Sequence, residues 1–338
     1  MHSTLEVQSR IKNYTIHFIK DLSKVETLTD QPNTITFIDQ NVAKLYPNLY
    51  RKANIVVECV ENTKTLEGTH NIFDTLIEQK ANIQTKLLVI GGGILQDLIG
   101  FCASTYCRGI EYNLIPTTLL SQADSCLGGK TSINVKGKKN ILGTFYPPNN
   151  IYICTEFLKT LTSLDYCSGL GEVYKFHILE NKIDQFDIDG DIEDMIYKGL
   201  LFKGDILSRD EFDKGERKYL NFGHTFGHAL ETTSQNNLPH GIAVILGSMI
   251  ASRIAHKLQY KVSNYDLLLQ KGIKLTHKAG IKLEQSWFDL NNLLEIVKSD
   301  KKSTGKLTMV LSTDHNFLQD VEDTDLIKQA LQETYESI

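Results

Sequence analysis

The stretch KLLVIGGGILQDLIGF, residues 86–101, sets an apolar run directly before three glycines and follows them with a helical pattern carrying Asp97. A short apolar run that ends in glycine reads as a buried strand. Glycines at that point let the backbone approach a phosphate, and the helix that follows offers N–H groups that lack partners within it. The dinucleotide fingerprint GxGxxG is met only in part, because Gln96 stands at its last position, and the glycines alone would equally suit a tight turn. Working outward, β-rich runs lie at 14–20, 34–41, 54–61, 112–118 and 151–157, with helical segments such as 66–79 between them. Strands separated by helices imply βαβ units and a largely parallel sheet. Asp39, at the end of the 34–41 run, is placed either to bond a ribose hydroxyl or to cap a helix. Taken with the glycines, it favours NAD over NADP.

Beyond about residue 157 the pattern changes. Long helical periods dominate, as at 241–258 and 265–280, with one β-like run at 306–312. The expected division is therefore an α/β domain over 1–155 and a mostly α-helical domain over 156–338. The chain has 338 residues, 41% hydrophobic and 23% charged, with a net charge of −5. No basic run points to nucleic acid or a membrane surface, and no apolar run is long enough to span a bilayer. The first residues lack the apolar core of a signal peptide, so a cytoplasmic location is expected. Six cysteines without CxxC spacing read as reduced thiols.

The segment NFGHTFGHALETTSQNNLPHG, 221–241, holds His224, His228 and His240. On a helix His224 and His228 share one face, and a third imidazole from a following loop makes a plausible zinc set. Two incidental polar histidines are the rival reading. HExxH is absent, so metalloprotease chemistry has no support. Glu172 upstream could add a carboxylate ligand, and spacing alone does not choose among these. Basic residues also lie among glycines and small polar residues: Lys130, Lys139, Lys175, Lys203 and Arg217, with Asn140 beside Lys139. Several converging near a metal would form a pocket for an anionic substrate carrying phosphate and carboxylate.

Read in order, FIDQN, ENTK, GGGILQD, GFCASTYCRG, IPTTLLSQADS, GGKTSINVKGKKN, GLGEVYK, RKYLNFGHTFGH and LPHG resemble the 3-dehydroquinate synthases and the wider sugar-phosphate cyclases over nearly the whole chain. The resemblance implies an NAD-binding α/β lobe at 1–155 and a mostly helical metal- and substrate-binding lobe at 156–338, with the active site between them. It implies zinc, for which cobalt can substitute, on Glu172, His224 and His240, and moves His228 to the substrate. Asp39, Asn41, Glu61, Lys64, Gly92, Gly93, Asp97, Thr117 and Thr118 match cofactor contacts, as do Asp124 and Lys139. Lys130, Asn140, Lys175, Lys203, Arg217 and Asn221 match substrate contacts. Arg108 matches an arginine that reaches the neighbouring subunit's site, which implies a homodimer. Lys301 or Lys302 would close the pocket.

The implied reaction converts 3-deoxy-D-arabino-heptulosonate 7-phosphate into 3-dehydroquinate. It proceeds by transient oxidation with NAD, phosphate elimination, re-reduction and intramolecular aldol closure. Arg217, Asn221 and Lys203 favour this carboxylated substrate, because a site built to pair a buried carboxylate is costly to leave empty. Three positions depart from the family pattern. Ile242 replaces the glutamate of HGE, which is expected to alter how the adjacent metal ligand is oriented. Gln96 replaces a glycine, and Gly171 an alanine. The alternatives are a cyclase acting on another, amino or pathway-specific, sugar phosphate; a metal- and NAD-dependent alcohol dehydrogenase of the same two-lobe plan; and a silent binding protein.

Overall fold

A computed structural model describes residues 4–52, 55–300 and 307–338. Nine strands fall in the first half of the chain: β1 Thr4–Val7, β2 Tyr14–Phe18, β3 Thr34–Asp39, β4 Ile55–Val57, β5 Lys86–Gly91, β6 Glu111–Pro116, β7 Lys130–Val135, β8 Lys138–Phe145 and β9 Asn150–Ile153. Seven of them form one sheet in the order β1-β2-β9-β6-β5-β3-β4. All its pairings are parallel except β1 with β2. β5 is buried from Leu87 to Gly91. That is the pattern of a central parallel strand covered on both faces.

The order of strands creates a site. From β3 the chain moves outward to β4, then returns past β3 to β5. Parallel crossovers are right-handed, so these opposite moves put their helices on opposite faces of the sheet. The packing agrees: helix Leu66–Glu78 lies against helix Gly93–Thr105, and helix Leu22–Thr29 against Pro47–Lys52. The reversal opens a crevice at the carboxyl ends of β3 and β5, where open α/β sheets take their ligands. Asp39 and Gly91 stand at those two ends, and a Cβ on Gly91 would lie 3.3 Å from that of Asp39.

β7 and β8 form a separate antiparallel hairpin, which the polar, glycine-punctuated sequence does not announce. The chain divides into two compact units, Met1–Leu161 with Gly204–Phe212, and Thr162–Lys203 with Asp213–Ile338. The short returning segment is fastened within the first unit. Glu211 accepts hydrogen bonds from Ser9 Oγ at 2.5 Å and Arg10 N at 2.7 Å, and Phe212 packs edge-on against Phe145.

The second unit is mostly helical. Helix Ser163–Leu179 begins at Thr162, whose hydroxyl accepts from Asp165 N, and is buried without interruption from Cys167 to Leu179. Helix His240–Lys257 is buried from Gly241 to Ala255. Helices buried all round form the centre of a unit. The two cross at their glycines: a Cβ on Gly241 would fall 1.7 Å from Ser168 O, and one on Gly171 2.2 Å from Gly241 O. Gly241 N donates to Ser168 Oγ at 3.0 Å across the same crossing. Helix His224–Thr233 also packs on the His240 helix. It starts after Gly223, whose φ of +77° favours glycine. Two further strands, β10 Leu307–Ser312 and β11 Asn316–Val321, pair as an antiparallel hairpin.

Gly241→Ala is expected to lower stability by at least about 1–3 kcal/mol, since its methyl group meets backbone that cannot turn aside. Gly204, inside helix Ile192–Arg209 with open space beside it, serves as the control. Gly204→Ala should stabilise by up to about 1 kcal/mol through helix propensity alone. Urea unfolding of both variants checks the pair.

Candidate active site

Three helices deliver side chains to one point in the second unit. Glu172 is fully buried, and its Oε1 lies 3.3 Å from His240 Nε2 and 3.7 Å from His224 Nε2. Its Oε2 pairs with the ammonium of Lys175, one turn along the same helix and also buried. Among the described residues, neither oxygen of Glu172 has a hydrogen-bond partner of ordinary geometry. The rings of His224 and His240 are 5.2 Å apart, and His228 lies 5.3 Å from the first and 5.8 Å from the second.

Each of the two imidazoles nearest Glu172 is held from behind. His224 Nδ1 is 3.1 Å from Phe222 O, and His240 Nδ1 is 3.3 Å from Glu231 Oε2. With Nδ1 donating to these oxygens, both Nε2 atoms are turned towards Glu172. The charges follow from the surroundings. Burial alone would lower the His240 pKa, but the neighbouring carboxylates of Glu172 and Glu231 raise it to about 10. Burial and the Lys175 charge push His224 down to about 3. Burial would raise Glu172, yet Lys175 and the two imidazoles hold it well below the usual carboxylate range.

The donor set suits zinc. Tetrahedral zinc keeps nitrogen and oxygen ligands at about 2.0–2.2 Å, which sets neighbouring donors about 3.3–3.6 Å apart. The 3.3 Å separation falls in that range and the 3.7 Å one lies just beyond it, and the three donor atoms all lie within 4.8 Å of one another. Two imidazoles and one carboxylate also leave a fourth position for an exogenous oxygen. His228, Glu231 and His240 form a second grouping within the same limit.

In the first unit, another set gathers beside the crevice. Lys64 Nζ donates to Asp97 Oδ2 and to Asn140 Oδ1, each at 2.6 Å. Ser132 Oγ reaches the same two acceptors at 3.3 and 2.9 Å. Burial pushes the Asp97 carboxyl up, against the pull of Lys64 and Ser132. Glu61 Oε1 accepts from Asn134 Nδ2 at 2.7 Å, so the 61–64 turn is tied to the hairpin at two points. Helix Gly93–Thr105 has Gly92 at its N-cap with no side-chain cap, which leaves first-turn N–H groups for an anion. A Cβ on Gly92 would sit 3.1 Å from Thr118 Cγ2, and one on Gly93 3.3 Å from Ser125 Oγ. Thr117 N bonds Gly91 O at 3.2 Å, and Asp124 lies in the short helical turn Ser121–Ser125. Asp39 Oδ1 caps the following turn through Asn41 N at 2.7 Å, the helix-cap arrangement, while the residue holds its place at the crevice.

The sequence matches the 3-dehydroquinate synthase N-terminal family over residues 54–168 and the 3-dehydroquinate synthase C-terminal family over 169–303. A 3-dehydroquinate synthase of Clostridium tetani is 35% identical over 314 residues, covering 90% of this chain and 83% of that protein. This chain belongs to the 3-dehydroquinate synthase family. Two solved structures share its fold. A 2-deoxy-scyllo-inosose synthase complexed with carbaglucose-6-phosphate, NAD+ and Co2+ aligns at TM-score 0.82 and 24% identity, over 98% of this chain and 100% of that one. A 2-epi-5-epi-valiolone synthase from Streptomyces hygroscopicus, with NAD+ and Zn2+ bound, aligns at 0.81 and 22%, over 98% and 99%. The expected fold class, an α/β part followed by a mostly helical part, stands.

For this member of the 3-dehydroquinate synthase family, the remaining expected residues are placed as follows. Lys203 and Arg217 are buried, at 6% and 4% exposure, an uncommon state for cations. Asn221 and His228 are exposed, and His228 stands within the imidazole group. Lys130 opens β7 and lines a small pocket with Asp97, and Lys139 is exposed on β8. Arg108 is exposed in a turn whose residues Cys107, Arg108 and Gly109 all have positive φ, a strained conformation for the first two. Lys301 and Lys302 lie outside the described residues. Glu231 is the site residue that sequence reasoning missed. Its signal was its place three residues after His228, and so on the same helix face. Ile242 is wholly buried in the core.

Lys175→Met is expected to strip the buried Glu172 carboxylate of its lysine partner and to cost about 3–5 kcal/mol. Added zinc should recover part of that loss by supplying a replacement cation. Denaturant titration of the variant with and without zinc measures both effects.

Proposed function

We propose that the protein is a 3-dehydroquinate synthase, which closes 3-deoxy-D-arabino-heptulosonate 7-phosphate to 3-dehydroquinate and releases phosphate. The observation that carries this reading is the buried Glu172–His224–His240 group with Lys175 beside it, in a chain of that family that also buries Lys203 and Arg217. Bound NAD supplies a reversible hydride acceptor, and bound zinc a Lewis acid that makes a neighbouring alcohol acidic.

The protein's own groups do the rest. Glu172, His224 and His240 hold the metal, with Lys175 neutralising the second carboxylate oxygen so that Glu172 stays ionised. Asp39, Asn41, Glu61, Lys64, Gly92, Gly93, Asp97, Thr117, Thr118, Asp124 and Lys139 are assigned to the cofactor in the 1–155 domain. Lys130, Asn140, Lys175, Lys203, Arg217, Asn221 and His228 are assigned to the substrate. Arg217 and Lys203, both buried cations, are assigned to the substrate's carboxylate and phosphate. Asn140 Oδ1 is engaged by Lys64, so in this reading it faces the substrate through its amide nitrogen. Holding the flexible ring-opened intermediate in one conformer is the main demand before carbon–carbon closure.

In this reading the enzyme works in the cytoplasm as a homodimer, with Arg108 serving the partner's site. No helix among the described residues is long and apolar enough to cross a membrane. Mixing Arg108→Ala with Glu172→Gln protein should restore activity above that of either alone, and no gain on mixing would remove the shared-site assignment.

The direct test supplies zinc, catalytic NAD and the heptulosonate phosphate, and follows phosphate together with product mass. Equal amounts of phosphate and 3-dehydroquinate without net NADH are expected. Net NADH would point to an alcohol dehydrogenase, and turnover only with a different sugar phosphate to another cyclase. Arg217→Met should lower kcat/KM by about 10- to 100-fold, the loss of one charge-assisted contact. Chelation should abolish activity, and zinc or cobalt should restore it.

A further inference from the structure

His240 is the side chain common to both metal-compatible groupings, and its two nitrogens look opposite ways. Nε2 lies 3.3 Å from Glu172 Oε1, and Nδ1 lies 3.3 Å from Glu231 Oε2. A neutral imidazole offers one lone pair and one N–H. If Nε2 gives its lone pair to the ion held with Glu172 and His224, Nδ1 keeps its hydrogen and donates it to Glu231. The same ring then cannot also serve a second ion with His228 and Glu231. The family pattern's carboxylate two residues beyond this histidine is absent: the fully buried Ile242 stands in its place.

From this geometry we infer that Glu231 is the positioning residue that sets the tautomer and orientation of the metal ligand His240 in this protein. The inference rests on the zinc assignment made above. Glu231 is well placed for the task. It stands on helix His224–Thr233, the helix that begins with His224 and ends with Thr233 Oγ1 bonded to Trp287 O at 2.9 Å. One rigid element therefore carries one ligand and orients another. The two ligand histidines are anchored by different chemistry. His224 leans on a neutral carbonyl, that of Phe222, while His240 leans on a carboxylate, the stronger acceptor and the one that raises ligand basicity more.

The test uses the full chain, stripped with a chelator, and titrates zinc against a chromophoric competitor. Cobalt d–d absorption reports ligand geometry, and circular dichroism reports the fold. Wild type should bind one zinc per chain. Glu231→Ala should weaken zinc by about 10- to 100-fold, the usual effect of removing a ligand's hydrogen-bond partner. It should also alter the cobalt bands, while kcat returns towards wild type at saturating zinc. Glu231→Gln, which keeps an acceptor without the charge, should fall between, and it guards against a folding failure of the alanine variant. Equal zinc affinity in wild type and both variants would overturn the inference and leave the zinc site standing. So would two ions in wild type with only the weaker one lost in the variants. A wild-type chain that binds no zinc would overturn the site and the inference together.

Discussion

A carboxylate with no access to water is the demand around which the second unit is arranged. Glu172 is fully buried, and an ion in such a place costs several kcal/mol unless its surroundings return that energy. Three groups do so here. Lys175 comes from the same helix one turn away, and His224 and His240 come from two other helices. The helices that carry Glu172 and His240 also cross closely. Gly171 and Gly241 meet where no Cβ would fit, and Gly241 N is satisfied by Ser168. Gly171, a departure from the family pattern in sequence, thus sits at that crossing.

The first unit solves a different problem with neutral and charged groups together. Its crevice follows from strand order alone, because reversal of the crossover direction leaves the ends of β3 and β5 uncovered. What lies beside the crevice is then set by a network rather than a single pair. Lys64 is shared by Asp97 and Asn140, and Ser132 contacts both acceptors, so the 61–64 turn, the glycine helix and the hairpin are tied to one another. Gln96, the other departure in the phosphate loop, turns its amide nitrogen back onto Gly91 O at 3.1 Å and so braces the loop that it interrupts.

The readable parts of the chain were those in which burial imposes a period. β5 is continuously apolar and flanked by glycine, and it lies where the run at 86–93 places it. The helices at 240–257 and 265–279 match their periods to within a residue or two. The hairpin Lys130–Phe145 was hidden for the opposite reason. β8 is exposed from Lys138 to Gly143, so nothing selects alternating apolar residues there. The residues of the metal group were legible as a family pattern, yet spacing alone could not separate His228 from His240. Their difference lies in which ring reaches Glu172: His240 Nε2 lies 3.3 Å from its Oε1, whereas His228 is exposed. Glu231 carried only a weak signal, because a glutamate three residues after a histidine on a helix has many ordinary explanations, and its partner is nine residues away around a turn.

Helix Ile192–Arg209 begins in one unit and ends in the other, since the first reclaims the chain from Gly204 to Phe212. The two halves therefore cannot be exchanged as cassettes. A chimera joined near residue 161 would inherit its Glu211 from the foreign parent, along with whatever fit that parent had evolved to Ser9 and Arg10. An amino-terminal fragment cut at the same point would lose that carboxylate outright, exposing the Ser9 hydroxyl and the Arg10 amide that it satisfies. Recombination among relatives of this protein should then be tolerated within either unit more readily than at the junction, and the two parts would diverge as one inherited whole.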